Sequence, residues 1–221
     1  MKTAVLSDLA FAAPRLRTDA IRWTIVLLAT ELLLVNSPST VLLVAVPETL
    51  ALIQALAIDE ERCGWNRLRL ALPITRAEAV AARFAVAALV VAGAVALTAG
   101  TNLLVAVLFA AVPTLGEIAI LPTAATGIDT TMLALCCCAS MSLALVAAGI
   151  VLPLIAWRGS TLGASLAMCA LSMLSFLLAI NARPPLPAPP ALLAAGLLAV
   201  AAVWFIASAA LATRIFSRRE L

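Results

Sequence analysis

Histidine and tyrosine are absent from the 221 residues, lysine occurs once, at Lys2, and charged side chains make up only 11% of the chain. Each shortage removes a class of chemistry. A phosphate-binding P-loop ends in Lys followed by Ser or Thr, and no such lysine exists, so this polypeptide does not hold and hydrolyse ATP through that motif. Without histidine there are no Ser-His or Cys-His nucleophile pairs, no HExxH zinc site and no imidazole proton relay. The five cysteines add little. Cys136, Cys137 and Cys138 are consecutive, point about 100° apart on a helix and cannot converge on one metal, and no CxxC is present. With Cys63 and Cys169 they are expected to pack as small apolar residues. Carboxylate chemistry inside a membrane is the one catalytic class left, with Glu31 and Glu48 as its only candidates.

Apolar residues make up 65% of the chain, and its mean hydropathy is +1.17. Soluble proteins carry roughly a quarter charged residues. Long apolar runs recur at 23–35, 40–58, 84–112, 132–157, 161–180 and 191–212, and a bilayer crossing needs about 20 mostly apolar residues. Runs of Ala, Leu and Val without polar alternation exclude a barrel. The expected fold is all-α: one 1–221 transmembrane domain, a six-transmembrane-helix bundle with spans at about 21–36, 40–58, 80–111, 132–157, 161–180 and 191–212. The first span is short and reaches a workable length only if Arg22 snorkels. With six spans and both termini cytoplasmic, thirteen of the fourteen basic residues lie inside and only Arg183 outside. Dropping the first span would strand four of them outside, against the positive-inside rule. Residues 1–38 are expected to stay, because the charged stretch before the first run is long for a signal peptide and a cut after Ser37 would meet Pro38. The net charge of +3 finds its partner in anionic membrane lipid and calls for no nucleic acid.

Within this frame several local features are expected. Residues 1–20 read as an amphipathic helix on the inner membrane surface, kinked or divided at Pro14. NSPST, 36–40, is a short external turn, 113–129 an external interfacial or re-entrant piece, and 181–190 an external proline-rich linker. A continuous helix from Ala77 to Ala111 would run about 52 Å, so it must project, tilt or break, with Gly93, Gly100 and Asn102 as break points. Glu31 and Glu48 sit near mid-span. Pro47 frees a carbonyl near Leu43, and a protonated Glu48 donating to it is the structural reading. A polar lining for a transport path is the functional one.

DEERCGWNRLRLALPITR, 59–76, places seven charges among eighteen residues. Forced into lipid they would cost on the order of 20 kcal/mol, so the segment lies in water or at the interface. Asp59 or Glu60 can cap a short helix, Gly64 offers a break, and Trp65 with Leu68, Leu70 and Leu72 gives an apolar side. Pro73 stops the element, and Thr75 N-caps the next helix in a capping box with Glu78.

DEE at 59–61, GW at 64–65, LALPITR at 70–76 and AVAARF at 79–84 together resemble the loop between spans two and three in permease subunits of bacterial type-2 ABC exporters. KTAVLSDLAF at the start, IVLPLIAWRG at 150–159 and SRREL at 217–221 are similar to the family's opening, span-four exit and basic tail. The resemblance implies a multi-pass protein of the bacterial inner membrane, in an assembly of two permeases, as homodimer or heterodimer, and two ABC ATPase subunits. No cofactor is then expected in this chain; ATP and magnesium belong to the partner ATPase. It also implies that 59–76 is the coupling helix, with Glu60, Glu61, Gly64, Trp65, Leu72, Pro73, Thr75 and Arg76 as the ATPase-coupling residues and an amphipathic or peptide-like cargo moved outward. Two other classes remain beside it: a non-transporting scaffold or sensor subunit docking a cytoplasmic partner through the same loop, and the carboxylate-dependent intramembrane enzyme.

Overall fold

The computed structural model describes residues 2–34, 39–65, 74–112, 130–158, 162–181 and 190–217, and among these six helices follow the six apolar runs. They are α1 (Lys2–Leu34), α2 (Thr40–Arg62), α3 (Arg76–Ala111), α4 (Thr130–Arg158), α5 (Leu162–Asn181) and α6 (Pro190–Ser217), and no strand occurs among the described residues. By length and composition α2, α3, α4 and α6 are able to cross a membrane. α1 falls outside that set because Arg17, Asp19, Arg22 and Glu31 are spread through its second half.

α4 is the hub. Ala144, Ala147, Ala148 and Val151 are fully buried at spacings of three and four, one continuous helical face. Small side chains there let neighbouring helices approach closely, which is how packing replaces the hydrophobic effect inside lipid. Val46 and Leu50 of α2, Val91 of α3 and Ala201 of α6 close on this face. A second layer joins Ile53, Val80, Phe84, Leu152 and Ala212, with Phe84 tilted against Phe205 at 5.0 Å between ring centroids. α1 lies against α3 and α2, with Leu9 and Leu16 on Leu52, Val86 and Val90. α5 is tied to α2 by Gln54 Nε2 donating to Ser165 Oγ at 2.5 Å.

Proline accounts for a close contact between α4 and α6. Pro153 has no N–H, so the Gly149 carbonyl one turn earlier loses its intrahelical donor. The Ser208 hydroxyl of α6 donates to that carbonyl instead. The Trp204 indole donates to the Val146 carbonyl at 3.3 Å, and a Cβ at Gly149 would stand 2.9 Å from its Nε1. Gly149→Val is therefore expected to push α6 away and destabilise the bundle by about 2–3 kcal/mol, within the usual range for overpacking. Thermal melting of the purified protein in detergent measures this; an unchanged transition contradicts the account.

Three local expectations are corrected. α1 runs undivided through Pro14, with Leu9 and Leu16 packed on α2 and α3 on either side of the proline. Its first half also docks on protein: Ala4, Asp8 and Ala12, spaced four apart, are buried. α3 has no break at Gly93, Gly100 or Asn102 and continues for 36 residues, about 54 Å, so it projects or tilts. Asn102 does not disturb the backbone because its Nδ2 donates across to Thr40 Oγ1 at 3.2 Å. Finally, Asp59 and Glu60 cap no short helix; they belong to the last turn of α2. The expectations for 36–38, 113–129 and 182–189 fall outside the described residues, as does the Gly159 turn.

Candidate functional site

Acidic side chains in the last turn of a helix oppose its dipole, so the DEE run at the end of α2 needs cationic partners. It has them on two other helices. Arg83 NH2 of α3 forms an ion pair with Glu60 Oε2, the two side chains 19% and 11% exposed. Arg15 NH1 of α1 bonds Asp59 Oδ2 at 3.0 Å while its Nε bonds Asp19 Oδ2 at 2.8 Å. The hydrogen bond to Asp19, with the charges of Asp19 and Asp59 behind it and desolvation opposing, raises the Arg15 guanidinium above its ordinary pKa. Three helices are thus joined at one end by charges that sequence alone assigns to solvent.

α2 ends at Cys63, whose N–H donates to Asp59 O, and Gly64 follows in the left-handed region with φ +64°. Nothing stands within 4 Å of a Cβ at Gly64, so its glycine is required by backbone conformation and not by space. Gly64→Ala is expected to cost about 1–2 kcal/mol from the left-handed conformation alone, readable as a lower melting temperature. Asn at this position, which tolerates that region better, is expected to lose less.

The turn delivers Trp65 onto α1. Its ring stacks on Phe11 at 4.8 Å and 12°, and its Nε1 donates to Asp8 Oδ1 at 3.4 Å. On the far side of the segment, Thr75 starts α3 with the expected capping box. Glu78 N donates to Thr75 Oγ1 at 3.2 Å, and Thr75 N donates to Glu78 Oε2 at 3.0 Å. A cavity of about 40 Å³ lies beneath the Glu60–Arg83 pair, lined by Asp8, Phe11, Ile53, Val86 and Leu152 among others. It is polar at one side and has room for a few waters at roughly 10–15 Å³ each.

Of the coupling residues expected from sequence, Glu60, Gly64, Trp65 and Thr75 stand at this junction. Glu61 and Arg76 flank it in the last turn of α2 and the first of α3. Leu72 and Pro73 lie outside the described residues, as do Leu68 and Leu70. Sequence reasoning missed the α1 partners Asp8, Phe11, Arg15 and Asp19. Their signal was present, since Asp8, Ala12, Arg15 and Asp19 fall on one helical face. Glu31 lies in α1, but its side chain is outside the described residues. Glu48 is 1% exposed, and its Oε2 has no hydrogen-bond partner, so the expected bond to the carbonyl near Leu43 is not made by that oxygen. Among the described residues no group of His, Cys, Asp or Glu is arranged to hold a metal, and Cys136 packs with Val41 and Leu133.

No curated protein and no solved structure matches the chain. The model of one family, described as ABC-2 family transporter protein, matches residues 19–217, which take in the second half of α1, all of α2 to α6 and the α2 and α3 sides of the junction, while Asp8, Phe11 and Arg15 precede the match. The chain therefore belongs to the ABC-2 transporter family and is a membrane-embedded permease subunit of a type-2 ABC transporter.

Proposed function

We propose that the chain exports an amphipathic or peptide-like substrate using work received from a separate ABC ATPase through residues 59–76. All six helices cross the membrane in this reading, with both termini and the junction on the cytoplasmic side of a bacterial inner membrane, and the permease works as one of a pair. The observation that carries the proposal is the junction: the end of α2 is joined to α3 through Glu60–Arg83 and to α1 through Arg15–Asp59, the turn after it reaches α1 through Trp65, and Thr75 caps the start of α3. A push on such a segment moves three helices together, because packed elements shift as units and do not deform continuously.

ATP and magnesium bind the partner in this scheme, since a chain whose only lysine is Lys2 has no P-loop of its own. Vesicles holding the permease with its copurified ATPase are expected to accumulate substrate only with ATP, in a vanadate-sensitive manner. ATP-independent behaviour with a different soluble partner would favour the docking scaffold.

Glu48 supports a polar element of the transport path, because a carboxyl at 1% exposure inside the bundle is costly unless the opened state uses it. Glu48→Gln is expected to lower transport severalfold with little change in melting temperature. Unchanged transport and stability together would remove Glu48 from the path.

A further inference from the structure

A groove of about 290 Å³ runs between α1 and α2, separate from the junction cavity, and its lining changes character along its length. Arg15, Asp19 and Arg22 stand at one end, Trp23 beside them, and Val26, Leu52 and Ala55 continue it. Two arginines face Asp19 in the lining, and Asp59 of α2 also bonds Arg15, so the two carboxylates take up Arg15 and leave Arg22 as the cation of the groove. Asp19 does not saturate Arg22. It accepts from Arg15 Nε at 2.8 Å, whereas Arg22 NH1 stands 3.7 Å away, beyond hydrogen-bond reach, on a side chain 73% exposed. A guanidinium has five donors in a planar fork that fits a phosphate, and Arg22 has its fork turned outward beside an apolar slot. Trp next to Arg is also the pairing that settles at the boundary between headgroups and chains.

We infer that this groove is a binding site for an anionic phospholipid, its phosphate held by Arg22 and one acyl chain lying along Trp23, Val26 and Leu52. Charge complementarity selects the headgroup, and the apolar continuation selects a ligand with a chain over a soluble phosphate. The site borders the junction through Arg15, which bonds both Asp19 of the groove and Asp59 of the α2 end. Lipid occupancy therefore bears on how firmly α1 is held to α2. The inference needs only the α1–α2 packing and Arg22 on the cytoplasmic leaflet, so it survives if export through 59–76 is wrong.

The test is native mass spectrometry of the full chain released from nanodiscs of mixed phosphatidylglycerol and phosphatidylcholine. Retained lipid is expected to favour phosphatidylglycerol about fivefold over the bulk ratio, the preference that roughly 1 kcal/mol from one arginine supplies. Arg22→Gln is expected to return retention to the bulk ratio with the melting temperature unchanged, and Arg22→Lys to keep part of the preference. Arg214→Gln removes the same charge from α6 and is expected to keep all of it. Equal loss in the Arg22 and Arg214 variants would mean diffuse attraction and overturn the site. Displacement of the lipid by soluble glycerol phosphate would assign the arginines to a free phosphate ligand and overturn the lipid.

Discussion

Trp65→Ala is expected to leave the permease inserted while cutting transport per ATP hydrolysed by about tenfold. The stack on Phe11 contributes roughly 0.5–1.5 kcal/mol beyond the area it buries, and together these exceed the roughly 1.4 kcal/mol that a factor of ten requires. The indole also donates to Asp8 Oδ1, so truncation removes both contacts between the turn after α2 and the start of α1. Phe11→Ala separates two explanations. Phe11 lies far from 59–76 in sequence, and a similar uncoupling there shows that the push passes through the stack to α1. Trp65→Phe, which keeps a stacking ring and loses the indole N–H, is expected to fall between wild type and Trp65→Ala. Transport and ATP hydrolysis measured on the same vesicles read out all three, and wild-type ratios throughout would remove Trp65 from the coupling route.

Arg83→Gln is expected to destabilise the bundle by roughly 3 kcal/mol, because it strands Glu60 as a largely buried charge without its α3 partner. Glu60→Gln has the reverse defect and a comparable cost. The double variant is expected to recover much of the loss, since removing both charges leaves neither one unpaired. Melting of the four proteins in one detergent gives the cycle, and additive losses would show that the two residues act independently. The Arg15–Asp59 pair is more exposed, at 42% and 29%, and Asp59→Asn, which leaves Arg15 its bond to Asp19, is expected to cost well under 1 kcal/mol.

The contrast between these pairs bears on what can be read from a sequence. The helices were legible because length and apolarity are local properties. Expected spans two, three, four and six each fall inside one helix, the fifth matches α5 to within a residue, the first overlaps α1 as far as Leu34, and the Thr75 and Glu78 spacing announced its capping box. Interhelical partners were not legible in the same way. Asp8, Arg15 and Asp19 amid apolar neighbours produce the pattern of a surface helix, and periodicity reveals that a face exists without saying what covers it. Here protein covers it. Pro14 does not divide α1 for the same reason, since its local cost of about 3 kcal/mol is outweighed by packing on both sides. Asp59 and Glu60 were taken for caps because acidic residues favour helix starts; Arg15 and Arg83, distant in sequence, make a helix end acceptable to them. Pro153 and Gly149 were a readable signal in retrospect, a proline and a glycine one turn apart marking where α6 approaches α4.

Coupled export requires an ATPase to meet the segment following α2. Cys63 is an exposed free thiol within that turn, one residue before Gly64 and two before Trp65. A short thiol-linked photo-crosslinker attached there, in native membranes and a Cys169→Ser background, tests that contact directly. The captured protein is expected to be an ABC ATPase with a P-loop, and capture is expected to change in extent between nucleotide-free and vanadate-trapped membranes. Capture of lipid alone, or of a partner without a P-loop, in both conditions would contradict it.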